Sequence, residues 1–201
     1  MVEPQSLEVA RENLLYIRKT LEAAGQLTAV SGKSLVLAGL FSLAGAAANA
    51  WITGAPWSDG PYPRLAFAVW GIVLVLSLAT VLAGMYYKSR QMDTPIQPPL
   101  ARKLLWSLCP TLFLGALLTA LIVRSGHSEW LPIVWLGCYG VAVANGGQIS
   151  VAPIRLMGLS FLLAATGAAF SPKEAGLAWL ALGFGWLHIV YGVYIARRYH
   201  G

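Results

Sequence analysis

The sequence predicts an all-α protein, an integral membrane bundle of six transmembrane helices preceded by a cytoplasmic amphipathic helix. Three observations carry this prediction. Hydrophobic residues fill 57% of the 201 positions and charged residues only 11%, whereas a soluble domain is about 25% charged. Mean hydropathy is +0.65. Charge-free runs long enough to cross a bilayer recur along the chain, given that about 20 apolar residues in a helix cover ~30 Å of hydrocarbon. So apolar a composition fits neither a disordered chain nor a second soluble domain. Two units are expected, residues 1–30 on the cytoplasmic side and residues 31–201 in the membrane.

Within the first unit, residues 6–25 place Leu7, Ala10, Leu14, Ile17, Leu21 and Ala24 at alternating spacings of three and four. That spacing draws one apolar stripe along a helix, with Ser6 able to cap its start and Gly25 its end. Glu8, Glu12 and Glu22 oppose Arg11, Arg18 and Lys19 on the polar face, so attraction to anionic lipid is weak compared with a polybasic anchor. One reading lays this helix on the membrane or on the end of its own bundle. The other makes it a docking surface for a protein partner or a second copy, because three-four spacing is also a coiled-coil seam. The first thirty residues lack the apolar central region of a secretory signal, so insertion through the first span is expected.

The spans follow from the gaps between charges: Lys33 to Asp59, Arg64 to Lys88, Lys103 to Arg124, Glu129 to Arg155, Arg155 to Lys173, and Glu174 to Arg197. Crossings are expected near 35–52, 65–87, 104–123, 131–147, 153–170 and 175–196. The fourth and fifth are separated by Asn145-Gly-Gly-Gln148 followed by Pro153, which reads as a helix stop, a short turn and a helix start. Between the second and third, the three prolines of KSRQMDTPIQPPLARK favour an extended cytoplasmic loop over 88–103.

Orientation follows from the distribution of basic residues. With the amino terminus inside, the cytoplasmic side holds eleven: Arg11, Arg18, Lys19, Lys33, Lys88, Arg90, Arg102, Lys103, Arg155, Arg197 and Arg198. The other side holds only Arg64, Arg124 and Lys173. The positive-inside rule then puts both termini in the cytoplasm, and Trp51, Trp57, Tyr62 and Trp130 fall at the outer interface. The net charge of +6 is scattered at span ends, so nucleic acid is not an expected partner; the lipid bilayer is.

Each span carries small or weakly polar residues at helical spacing, which lets backbones approach where lipid supplies no hydrophobic drive. The clearest row is Ala178, Ala181, Gly185, His188, Gly192 and Ala196 in the sixth span. Ala38, Ser42, Gly45 and Asn49 form the row of the first span, and Ser77, Thr80 and Gly84 that of the second. These rows are expected to face one another, with Leu, Val, Ile and much of the Trp content turned to lipid.

His188 is the candidate polar site, since an ionisable side chain inside the membrane is a functional candidate by default. Ser77, Thr80 and Cys138 are expected at similar depth. Three roles remain open for His188: interhelical glue, proton handling or polar-ligand contact, and ligation of haem or a metal. Asn49 and Asn145 are candidates for an interhelical hydrogen bond or a substrate contact, and Pro110 should kink the third span near Trp106. No cofactor is expected at the outset and no metal-ligand spacing occurs. Cys109 and Cys138 form no CxxC and read as small packing residues. No catalytic motif is present, and no span holds Asp, Glu, Lys or Arg at its middle, which argues against a carrier built on a buried carboxylate.

Three stretches, LLYIRKTLEAAGQLTAVSG (14–32), WLGCYGVAVANGGQISVAPIRLMGLSF (135–161) and LGFGWLHIVYGVYIARRYHG (182–201), resemble a family of small polytopic bacterial inner-membrane proteins to which no activity is attached. The resemblance implies a bacterial plasma-membrane location and supplies no catalytic residue. The leading expectation is a non-enzymatic membrane subunit, scaffold or sensor acting through its cytoplasmic face. A small transporter or channel for a neutral or hydrophobic solute is the second, and an intramembrane enzyme or cofactor-binding protein centred on His188 the third.

Overall fold

The computed structural model describes residues 30–54, 63–91 and 98–198, together with Asn13 alone from the segment before them. The expected amphipathic helix with Leu7, Leu14, Ile17 and Leu21 lies outside the described residues, as do Trp57 and Tyr62.

Every described element is helical, and five helices are long and apolar enough to cross a membrane. The first, α1 (Gly32–Thr53), starts where the Ser31 hydroxyl accepts a hydrogen bond from the Ser34 N–H at 3.3 Å. It stops at Gly54, whose φ of 60° lets its N–H return to the Ala50 carbonyl. Only glycine takes that left-handed conformation at no steric cost. Next come α2 (Pro63–Gln91) and α3 (Pro98–Ser125). Both overrun the expected 88–103 loop: α2 continues to Gln91, and Pro98 and Pro99 open α3 instead of holding an extended path. Proline is tolerated in a first turn because that turn's N–H groups have no intrahelical acceptor to lose.

A single 3-10 turn, Ser128–Trp130, leads into α4 (Leu131–Gly146), and a second, Gly147–Ile149, leads out of it. Helix α5 (Ala152–Ala169) begins with Pro153 near its start. The last stretch departs from a single α-helix. A 3-10 turn over Lys173–Ala175 precedes α6 (Gly176–Leu180), a seven-residue π-helical segment follows over Ala181–Leu187, and α7 (His188–Arg198) completes it. Periodicity could not forecast this, because the small-residue row looks the same to a pattern whether the turn is α or π. A π segment is rare, and such segments concentrate at functional sites.

Helix α1 lies centrally between α2 and the α6–α7 unit, α4 pairs with α5, and α3 packs on α4. Close approach explains the glycines on these faces. A Cβ at Gly192 would stand 2.8 Å from both the Gly32 carbonyl and the Val36 nitrogen, and one at Gly39 2.7 Å from the Gly185 carbonyl. On the second pair, a Cβ at Gly158 would meet the Gly140 carbonyl at 2.7 Å. Ala38, Ser42, Gly45 and Asn49 are all buried, as are Gly185 and Gly192, while Ala181 is half-buried.

One end of the bundle gathers Val30, Leu35, Val151 and Ile195, with Val81, Met85, Leu100 and Leu104 packed on them. Lys88 is tucked in there, its Nζ donating to the Val30 carbonyl at 2.9 Å. At the other end Lys173 Nζ donates to Glu129 Oε1 at 3.2 Å and His127 Nδ1 lies 3.2 Å from the same oxygen, tying the turn before α4 to the turn before α6. The main core joins Phe161, Leu136, Leu131, Met157 and Leu180 from α4, α5 and α6 with Ala46 of α1 and Trp70 of α2. Trp70 is buried and Trp135 half-buried, so these two turn inward, while Trp51, Trp106, Trp130 and Trp186 are exposed as the composition suggests.

Candidate functional site

His188 opens α7 directly after the π segment and is 5% exposed. Its Nε2 lies 2.8 Å from the Tyr139 hydroxyl of α4. Three aromatic rings enclose it: Tyr139 and Phe161 with centroids at 5.5 Å, and Phe184 stacked at 6.3 Å and 21°. The Gly183 and Phe184 carbonyls lie beside the imidazole, yet neither meets Nδ1 in hydrogen-bond geometry. The aromatic contacts continue outward through Phe184 to Trp70, and from Trp70 to Trp135. Trp135 in turn donates its indole N–H to the Thr119 hydroxyl of α3 at 2.9 Å. A chain of rings therefore links α2, α4, α5 and the π segment around one imidazole. About one helical turn further along, Tyr191 and Ser160 join α7 to α5 by a hydroxyl–hydroxyl contact of 2.8 Å.

The other candidate residues are dispersed. Cys138 sits under Gly115 of α3, whose added Cβ would stand 3.1 Å from the Cys138 Cβ. Ser77 and Thr80 are half-buried on α2, the Ser77 hydroxyl having no hydrogen-bond partner. Asn49 is fully buried, and neither amide atom finds a partner. The interhelical hydrogen bond expected of it is not formed, a loss ordinarily worth about 1–3 kcal/mol. Its backbone carbonyl instead accepts from Thr53 Oγ1 at 2.7 Å.

Asn145 is exposed and lines a cleft of about 380 Å³ between α3 and α4, together with Lys103, Trp106, Pro110, Thr111 and Gln148. Pro110, inside α3, has no N–H to give the Trp106 carbonyl, and both residues line the cleft. Of the sequence candidates, then, only Asn145 and Pro110 come together. Tyr139, Phe161 and Phe184 around His188, and Lys103, Thr111 and Gln148 in the cleft, were missed. Nothing in a single sequence marks which tyrosine faces which histidine across 49 positions. Clusters of three or more His, Cys, Asp or Glu able to hold a metal do not occur among the described residues.

By fold the chain is an α-helical membrane protein. No protein-family model matches it, and no curated protein or solved structure is significantly similar to it.

Proposed function

We propose that the chain is a non-enzymatic membrane subunit, scaffold or sensor that works through protein contacts. The observation that carries this reading is an asymmetry of burial. In their most apolar windows α3 is 6% buried and α2 17%, against 39% for α1 and α5. Two of the long helices are thus held by one face each and offer the rest sideways, with Trp106 and Phe113 more than 70% exposed. Docked laterally, those faces would join a neighbouring helix in the bilayer through shape and small-residue contacts.

Six crossings and two cytoplasmic termini belong to the same proposal. Helix α4 is 16 residues long, about 24 Å at 1.5 Å per residue. Its trailing 3-10 turn adds roughly 6 Å, enough for the ~30 Å hydrocarbon layer. The Glu129–Lys173 pair before α4 and the Val151 cluster after it support a full traverse from end to end. Lys33, Lys88, Arg90, Arg102, Lys103, Arg155, Arg197 and Arg198 go to the Val151 end and Arg64, Arg124 and Lys173 to the other, which favours a cytoplasmic Val151 end. A bacterial inner membrane is the expected location, and residues 6–25 the expected cytoplasmic docking element for a partner or second copy.

The geometry around His188 favours glue over cofactor binding: Nε2 is taken by Tyr139 and three aromatic rings close around the imidazole. A solute path would need Asn49, Asn145, His188 and Pro110 along one route, and only two of them share a cleft. Photo-crosslinking in native membranes tests the proposal, with the reactive residue placed at Phe113, at Leu14 or at buried Leu136. Discrete protein adducts from Phe113 or Leu14 and none from Leu136 are expected. Lipid adducts alone from all three positions would overturn it.

A further inference from the structure

We propose that the cleft between α3 and α4 binds an anionic phospholipid, seating the phosphate of a net-negative headgroup beside Lys103. This inference rests on the span of α4 and the orientation proposed above and needs no protein partner. Depth is the first argument. Lys103 lies in the second turn of α3, and Trp106, Pro110 and Thr111 follow it, reaching roughly 5–12 Å further along at 1.5 Å per residue. Asn145 closes α4 and Gln148 belongs to the 3-10 turn after it. The cleft therefore straddles the boundary between the cationic end of the bundle and its apolar flank, where headgroup, glycerol and first acyl carbons meet.

Unmet hydrogen-bonding capacity is the second. Elsewhere the hydroxyls of Ser42, Thr119 and Thr166 return to the carbonyl four residues back. The Thr111 hydroxyl does not, and the side chains of Lys103, Asn145 and Gln148 make neither a hydrogen bond nor an ion pair among the described residues. The cleft thus collects, from α3, α4 and the turn after α4, polar side chains that the described residues leave unsatisfied. Hydrocarbon cannot satisfy them either, and each unmet group at that depth is costly.

Charge complementarity selects the ligand. The lining holds a cation and no carboxylate. Lysine and amide N–H donors suit phosphate oxygens, while the amide carbonyls and the Thr111 hydroxyl can accept from a glycerol headgroup. A volume of about 380 Å³ falls in the usual range for small-ligand sites, roughly 300–1,000 Å³. Basic pockets between helices on the cytoplasmic side are where anionic headgroups bind.

The full chain in neutral detergent, titrated with phosphatidylglycerol, with phosphatidylcholine and with inorganic phosphate and read by native mass spectrometry, tests this. One phosphatidylglycerol should be retained in preference to phosphatidylcholine, and inorganic phosphate should not displace it. Lys103→Gln should weaken retention about fivefold, the weight of one basic side chain near an anionic surface; Lys103→Arg should preserve it, and Arg124→Gln at the opposite end should leave it unchanged. Equal retention of the two lipids, unaltered retention by Lys103→Gln, or displacement by inorganic phosphate would each overturn the proposal. Should Lys103→Gln unfold, Asn145→Leu reads the same site, and unchanged retention there is equally fatal.

Discussion

The hydroxyl of Tyr139 on α4 stands 2.8 Å from Nε2 of His188, at the point where the π segment gives way to α7. This contact joins two helices that are 49 positions apart in the chain, inside a shell of aromatic rings. Tyr139→Phe keeps the ring packing and removes the partner, so it should destabilise the fold by about 1 kcal/mol, the usual scale of an interhelical hydrogen bond in a membrane. The double variant Tyr139→Phe with His188→Leu should cost less than the sum of the two single changes. Unfolding in a mixed-detergent titration measures all three; strict additivity would dissolve the pairing.

Backbone contact predicts a contrast between two glycines. Alanine at Gly192 would put a Cβ 2.8 Å from the Gly32 carbonyl and the Val36 nitrogen, atoms that cannot rotate away, whereas a Cβ at Gly71 meets nothing within 4 Å. Gly192→Ala should therefore cost roughly 1–3 kcal/mol through overpacking. Gly71→Ala, on the lipid-facing side of α2, should be neutral or stabilise by up to about 1 kcal/mol through helix propensity. Melting temperatures in detergent decide between them, and the reverse order would mean that α1 and α7 do not meet as described.

The Glu129 carboxyl, outside the spans, is held below the usual glutamate range, first by its own backbone N–H and then by hydrogen bonds from His127 and Lys173. A carboxyl depressed in the folded state contributes stability that is complete above its unfolded value and lost as pH falls through its folded one. The wild-type melting temperature should therefore drop on acidification below about pH 4.5, while Glu129→Gln should melt slightly lower near neutrality and lose part of that acid slope. Both partners, His127 and Lys173, are solvent-exposed, so the effect is small. Parallel curves for the two proteins across pH 3–7 would remove Glu129 from the account.

Much of the helical layout is legible in the residues because two signals are local. The distance between charges is a direct reading of solvent preference, and it places helices within a few residues at 35–52, 131–147 and 153–170, where the structure has Gly32–Thr53, Leu131–Gly146 and Ala152–Ala169. Proline and glycine mark starts and stops, although Pro98 and Pro99 begin a helix where an extended loop was expected. The π segment left no such mark, because Ala181, Gly185 and His188 keep the spacing of an ordinary small-residue row.

By itself the sequence determined that this chain lives in lipid, about where its helices run, and which faces are small enough to approach one another, because composition, charge spacing and side-chain size are properties of each stretch alone. Only the tertiary structure decided that His188 faces Tyr139 and not Cys138, that Asn49 is sealed in without a partner, and that Asn145 joins Lys103 and Pro110 in one cleft. Those pairings depend on how each helix is rotated against its neighbour. A one-residue change of rotation turns a side chain by 100°, which hydropathy does not record and close packing does.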